Sequence, residues 1–388
     1  MLLGQQIADH RHELPPIEEG LRVVYLVRTQ DEGDAVSGAA KQIRMYAEAV
    51  EAAGGTAVFH ASLEELEEPF DIAHLSNLDW TVETAYQLGL AQRFARRVVV
   101  SPIHHRRRWV SSLPASERSG LARLAASVTS QDGYERLRNL FLARSRPRLL
   151  PEAARQMIGG VARAQRRILD SCDAWFLLAN GEQVSLQEDL APQPRPTYLV
   201  PNGAEWSDAE PAVEGLPDGF VLSVGRIEAR KGQVAVARAL ESLGVPGVFI
   251  GEPNPRHAGY VEEFERYVES SRLQRWIPEL PHEQILPLYR AARAHVLASW
   301  FEVAPLVDLE AAVAGCRVVT TTHGHTSEYL GDWAVYWSPR DGEAALRGAI
   351  ERALERGPDR ERAAEFRRTL AWEPMGEALL GAYATLLR

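Results

Sequence analysis

Residues 299–321 read "SWFEVAPLVDLEAAVAGCRVVTT". The stretch has the form of a strand end, a loop, a helix and a new strand. Proline fixes φ and has no N–H to lose, which suits it to the first position of a helix, so the helix is expected to begin near Pro305. Glu302 then sits in the loop before the helix. Glu310, eight residues on, lies more than one turn inside it, on the face looking back to the cleft. Strands alternating with helices make a parallel sheet, whose ligands bind beyond the carboxyl ends of the strands. Free N–H groups and the positive dipole end at a helix start favour phosphate. A carboxylate one turn down can accept both hydroxyls of a ribose.

The same alternation extends outward in both directions. In the second half, "GFVLSVGRI", "PGVFIGEP", "AHVLASW", "CRVVTTT" and "WAVYW" are strand candidates with helical segments between them. In the first half, "LRVVYLV" (21–27) reads as a buried strand. A helix follows with Ile43, Tyr46, Ala47 and Val50 on one face, stopping at Gly54 and Gly55. "TAVF", "DIAHL" and "RRVVVS" are further strands. Residues 111–167 break the rhythm, being basic and helical in composition, and read as insertions. The proline-rich run 190–205, with its "PNG" turn, marks a domain crossing, and residues 371–388 form one more amphipathic helix. The expected fold class is α/β, with two doubly wound domains.

Lysine is scarce: of 43 basic side chains only Lys41 and Lys231 are lysine. Lys231 stands in "GRIEARKGQ" (225–233), five residues after Arg226 and just past the strand "FVLSVG". Two cations at the carboxyl end of a parallel strand suit a diphosphate, and lysine supplies a compact point charge where arginine would supply a flat fork.

In this order, the segments resemble the donor domain of retaining GT-B glycosyltransferases of family 4. Arg226 and Lys231 match that family's Gly-Arg…Lys pair, and Glu302 and Glu310 its Glu-x7-Glu motif. Gly315 matches its Ala-x-Gly segment, and Glu328 follows a glycine-containing turn before "GD". The similarity covers roughly residues 200–341, and Trp372 fits a helix that crosses back to the first domain. The resemblance implies two Rossmann-like domains facing across a cleft: an acceptor domain at 1–198 with a helical basic insertion at about 110–168, a nucleotide-sugar donor domain at 199–370, and a crossover helix at 371–388.

It further implies that Arg226 and Lys231 hold the diphosphate, Glu310 the ribose and Glu302 the donor sugar, with Gly38, Gly225, Ile277, Pro305, Leu306 and Val307 also lining the donor. His104 fits the family's active-site histidine, with His105 as close competitor and His74 behind both. "GDAVSGAAKQ" (33–42) stands where the family carries a Gly-Gly loop; only Gly38 remains clearly. Two departures stand out: Val303 and Pro305 replace glycines of the Glu-x7-Glu loop, and "GEP" (251–253) lacks a second glycine. The implied activity is metal-independent hexosyl transfer, with retention, from a nucleoside-diphosphate sugar to a hydroxyl acceptor such as a glycan, a glycolipid or a small-molecule intermediate. The alternatives are a GT-B epimerase and a non-catalytic sugar-nucleotide binder. The donor is a co-substrate, and no cofactor or metal is expected.

Composition narrows the partners. A net charge of −10 argues against a general nucleic-acid binder. No run approaches the roughly 18 apolar residues of a membrane span, and the charged first twenty residues do not read as a signal peptide. A cytoplasmic protein is expected. Two isolated cysteines, Cys172 and Cys316, offer neither a disulfide framework nor a metal site. The arginine-rich segment from about 93 to 167, densest at "HHRRRW" and "ARSRPR", predicts an anionic or lipid-linked acceptor, or peripheral contact with the membrane's inner face.

Overall fold

Strand β1 (Arg22–Leu26) alternates its side chains between two buried layers. Val23 and Tyr25 point into one layer, Val24 and Leu26 into the other. Such two-faced burial is the mark of a parallel sheet covered on both sides. In this computed structural model, which describes residues 2–3, 20–27, 38–60, 69–114 and 129–388, β1 is a central strand of one of two six-stranded sheets.

The first sheet runs β2-β1-β3-β4-β5-β6, all parallel, with β2 at Thr56–His60, β3 at Phe70–Ser76, β4 at Ala95–Ser101, β5 at Ala174–Leu177 and β6 at Thr197–Leu199. Helix α1 (Gly38–Ala52) buries Ile43, Tyr46, Ala47 and Val50 against one face, as its 3.6-residue pattern predicts. Helices α2 (Thr81–Phe94), α6 (Val161–Ser171) and α7 (Asn180–Leu190) cover the other. Among the described residues of the arginine-rich segment, three helices precede α6: α3 (Arg107–Val110), α4 (Gln131–Arg144) and α5 (Leu150–Gly159).

The second sheet runs β12-β11-β10-β7-β8-β9, again all parallel. Its strands are β7 (Val221–Val224), β8 (Gly247–Ile250), β9 (Gln274–Ile277), β10 (Ala294–Val296), β11 (Arg317–Thr321) and β12 (Val335–Trp337). Between them lie α8 (Gln233–Leu243), α9 (Ala258–Ser270), α10 (His282–Ala291), α11 (Leu306–Val313) and α12 (Thr326–Leu330), followed by α13 (Gly342–Arg356) and α14 (Arg360–Thr369).

The last helix, α15 (Trp372–Leu387), returns to the first sheet, where Leu379, Ala382, Tyr383 and Leu387 join the core beside α1. Gly376 permits this: a Cβ there would stand 2.9 Å from that of Ala49. Arg96 and Arg97 donate to the carbonyls of Leu387 and Leu386 at 2.9 and 3.1 Å, satisfying the helix C-terminus. The described residues form two compact units. One holds 20–27, 38–60, 69–106, 129–202 and 372–388; the other holds 2–3, 107–114 and 203–371. Among the described residues no helix is long and apolar enough to cross a membrane.

Candidate active site

In the second sheet β7 and β10 are neighbours, but the chain leaves them in opposite directions, to β8 and β9 on one side and β11 and β12 on the other. At such a switch point the loops beyond the strand ends diverge and open a crevice. The two loops there are 225–232 and 297–305, the same two stretches singled out in the sequence.

Glycines bring them together. Gly232 has φ +69°, and a Cβ on it would lie 2.4 Å from the carbonyl oxygen of Ala298. Gly251 has φ +147°, and its Cβ would meet the Gly225 carbonyl at 2.3 Å. The Trp300 N–H then donates to the Arg230 carbonyl at 2.9 Å.

Across this contact runs an ion-pair chain. Lys231 Nζ stands 2.6 Å from Glu302 Oε1, and Arg230 reaches the same oxygen at 3.1 Å. Arg230 also donates to the Phe301 carbonyl at 3.1 Å and pairs with Glu228 at 3.1 Å. Burial works against the charge of Glu302, but the pull of Lys231 and Arg230 is stronger and holds its carboxyl down at about 2. Arg226 is exposed. Of the two cations assigned to the diphosphate, Lys231 is therefore tied to Glu302, and the second cation on that carboxylate is Arg230.

The Glu302 loop is clamped from its other side. The Glu302 N–H donates to the His323 carbonyl and the His325 N–H to the Val303 carbonyl, both at 2.9 Å. A Cβ on Gly324 would come 3.0 Å from the Glu302 carbonyl, so this turn needs its glycine. His323 Nδ1 lies 2.9 Å from the Trp300 carbonyl, which identifies that nitrogen as the N–H donor. Trp109, from α3, stacks flat on the His323 ring at 5.8 Å and 7°, and touches His325 at 5.5 Å.

Pro305 is the residue before α11 rather than its first member, and its extended backbone (φ −69°, ψ 126°) starts the helix. Leu306 is buried and Val307 half-buried. Glu310, one turn in, is buried with both oxygens engaged: His282 Nε2 at 2.8 Å on one and the Tyr289 hydroxyl at 3.3 Å on the other. His282 Nδ1 faces Glu205 at 3.5 Å. The ligand atoms of Glu205, His282 and Glu310 lie within 4.8 Å of one another, the one group among the described residues able to hold a metal ion. Ile277 closes β9, and its carbonyl accepts the Gly251 N–H at 3.1 Å.

Gly38 and His104 belong to the first unit. Gly38 opens α1; residues 33–37 of the expected glycine loop lie outside the described residues. His104 follows Ile103, a β-branched residue at φ +46°, a conformation that costs on the order of 1–3 kcal/mol and persists only where its surroundings enforce it. Bonds on both sides hold this turn: the Pro102 carbonyl accepts the Leu78 N–H at 2.8 Å, and Glu182 takes the next peptide. Fully buried at the start of α7, it accepts the His104 N–H and the Leu178 N–H, each at 2.8 Å. Burial outweighs these bonds and raises its carboxyl to about 7. His104 is itself buried, with Nε2 2.9 Å from Asp189. His105 is the more exposed of the two, with Nδ1 2.5 Å from Asp79. His74 is a core residue: Nδ1 lies 2.5 Å from the Tyr383 hydroxyl and Nε2 2.8 Å from Ser101. It thereby pins α15 to the sheet.

Arg230, His282, Trp109 and Glu182 were missed in the sequence. Arg230 sat inside the quoted motif and Trp109 ended "HHRRRW"; His282 and Glu182 carried no signal beyond standing at helix starts.

Residues 207–369 match the family model described as glycosyl transferases group 1. The match takes in nearly all of 203–371, the main segment of the second unit. Over 180 residues the chain is 32% identical to glycogen synthase of Mycobacterium tuberculosis, which covers 43% of each chain. Over 278 residues it is 28% identical to D-inositol 3-phosphate glycosyltransferase of Acidothermus cellulolyticus, covering 61% of this chain and 58% of that one. The chain thus spans about half the length of the curated relatives it matches. Sucrose-phosphate synthase from Thermosynechococcus elongatus superposes with a TM-score of 0.64 over 95% of this chain and 96% of that one, at 16% identity. The fold is GT-B, and the ion-pair chain of Glu228, Arg230, Lys231 and Glu302 lies within the residues that match the family model.

Proposed function

We propose that the chain is a retaining, metal-independent hexosyltransferase that moves a sugar from a nucleoside-diphosphate sugar to a hydroxyl acceptor. The observation that carries this is the switch-point arrangement: Lys231 held at 2.6 Å on Glu302, with Glu310 buried one turn down α11. In the proposed step the bond from the sugar's C1 to the diphosphate oxygen breaks and its electron pair goes to that oxygen. The acceptor hydroxyl adds to C1 from the same face, and its proton passes to the departing phosphate oxygen. Charge separates in the transition state, so fixed cations matter more there than in the ground state. Lys231 and Arg226 take the growing phosphate charge, and Glu302 aligns Lys231 and meets the sugar hydroxyls. Glu310 accepts the ribose hydroxyls in exchange for its bonds to His282 and Tyr289.

The test is transfer assayed over a panel of UDP, GDP, ADP and dTDP sugars with sugar and sugar-phosphate acceptors, the anomeric configuration being read by NMR. Lys231→Ala is expected to lower turnover about 10²- to 10³-fold while the protein stays folded, and a chelator is expected to leave turnover unchanged. Unchanged turnover in Lys231→Ala, or an inverted product, contradicts the reading. Loss on chelation that Mn²⁺ restores would instead assign Glu205, His282 and Glu310 to a metal.

A further inference from the structure

Between residues 129 and 168 the chain has nine arginines and three carboxylates, an imbalance the donor site does not use. Helix α4 exposes Leu137, Leu140 and Phe141, and α5 exposes Leu150 and Ile158, with Phe141 77% and Ile158 89% exposed. Five of the eight large exposed hydrophobics found among the described residues fall on these two packed helices. On α4 they recur at positions 137, 140 and 141, one helical face, and Arg144 continues it. On α5, Leu150 and Ile158 lie two turns apart on one face.

Charge is sorted around them. Arg138, Arg144, Arg148, Arg155 and Arg163 are exposed, whereas none of the three carboxylates is. Asp132 pairs with Arg136, Glu152 with Arg155 and Arg167, and Glu135 accepts from Gln131. Single exposed apolar side chains are ordinary, but five on two packed helices mark an interaction surface, and a protein partner site is usually poor in uncompensated charge at its centre. Apolar side chains fringed by arginine fit a bilayer interface, where rings and branched chains enter the acyl boundary and guanidinium groups meet lipid phosphates.

We propose that the α4–α5 surface docks the chain peripherally on an anionic lipid bilayer. Phe141 and Ile158 insert, and the exposed arginines, Arg144 and Arg163 among them, bind headgroup phosphates. The proposal stands apart from the donor-site reading, since none of these residues is in the ion-pair chain.

The full chain is floated with vesicles of phosphatidylcholine alone and with vesicles of equal parts phosphatidylcholine and phosphatidylglycerol. Binding is expected to the second only, and to weaken with salt. Phe141→Asp and Ile158→Asp should each lower partitioning about tenfold, and Arg144→Gln and Arg163→Gln about five-fold each. Melting temperature and nucleoside-diphosphate binding should stay unchanged in all four, because these side chains are exposed. No binding to anionic vesicles, equal binding to both vesicle types, or binding indifferent to all four variants overturns the proposal. So does a concentration-dependent dimer by light scattering that Phe141→Asp abolishes, which would make the surface a contact between copies.

Discussion

At the residue scale the site is defined by a competition for Lys231. Its ammonium is held by Glu302 at 2.6 Å, so a diphosphate must share or displace that bond. Removing the carboxylate's charge removes the competitor. Glu302→Gln is expected to tighten nucleoside-diphosphate binding roughly tenfold, about 1.4 kcal/mol, and to lower transfer, because the aligned lysine and the sugar contact are both lost. Titration calorimetry and a turnover assay on one variant check both halves; weaker diphosphate binding would contradict the competition. Glu302, Glu310 and Lys231 were legible because their spacing in sequence translates directly into one loop and one helical turn. The role of Arg230 was not. It depends on a single 3-10 turn over Ala229–Lys231, closed by Gly232, that swings Arg230 back to the Phe301 carbonyl.

At the element scale, two loops carry the argument. The first is the contact of Gly232 with Ala298. Gly232→Ala puts a methyl 2.4 Å from a backbone oxygen at φ +69° and should cost about 2 kcal/mol or more. It separates Lys231 from Glu302, and both melting temperature and diphosphate affinity should fall. Unchanged affinity would mean the loops are not set by this contact. The second is the turn at 323–325 under Trp109. Trp109 packs on the imidazoles of the turn whose backbone holds Glu302, so it is a positioning residue. Trp109→Ala should lower kcat about tenfold with little change in nucleoside-diphosphate affinity, and Trp109→Phe should recover most of the rate by keeping a stacked ring. A fall in affinity matching the fall in kcat would assign it to binding instead. This contact was hidden from the sequence because more than two hundred residues separate Trp109 from His323.

At the scale of the whole molecule, two buried groups in the first unit oppose each other in pH. Burial holds His74 neutral down to about 3, against an ordinary value of 6.5. Between those values the unfolded chain binds the extra proton, so stability falls as pH falls, by about 1.4 kcal/mol per pH unit. Glu182, raised from 4.5 to about 7, keeps its proton when folded while the unfolded chain loses it, so stability falls as pH rises across that window. From 4.5 to 6.5 the two slopes cancel. His74→Gln should therefore flatten the denaturation profile below pH 4.5 and Glu182→Gln above pH 6.5, and between those values each variant should show the slope of the group that remains. A parent and Glu182→Gln pair with parallel profiles from pH 5 to 8 would contradict the assignment of about 7.

The sheets themselves were largely legible, since nine of the twelve strands among the described residues lie in the apolar runs picked out in the sequence. The three unread strands are β5, β6 and β9, only three or four residues long. β6 and β9 are sheet edges, one following a proline-rich run and the other containing arginine, and an edge strand needs neither continuous hydrophobicity nor freedom from nearby proline.

The central claim is that the β7–β10 switch point seats a nucleoside diphosphate. Calorimetric titration of the intact chain with UDP, GDP, ADP and dTDP, repeated on Lys231→Ala and Glu310→Ala, tests it most directly. The account predicts saturable one-to-one binding of at least one of the four, weakened about tenfold or more by each substitution. Absence of binding across the panel, or affinity untouched in both variants, would contradict it.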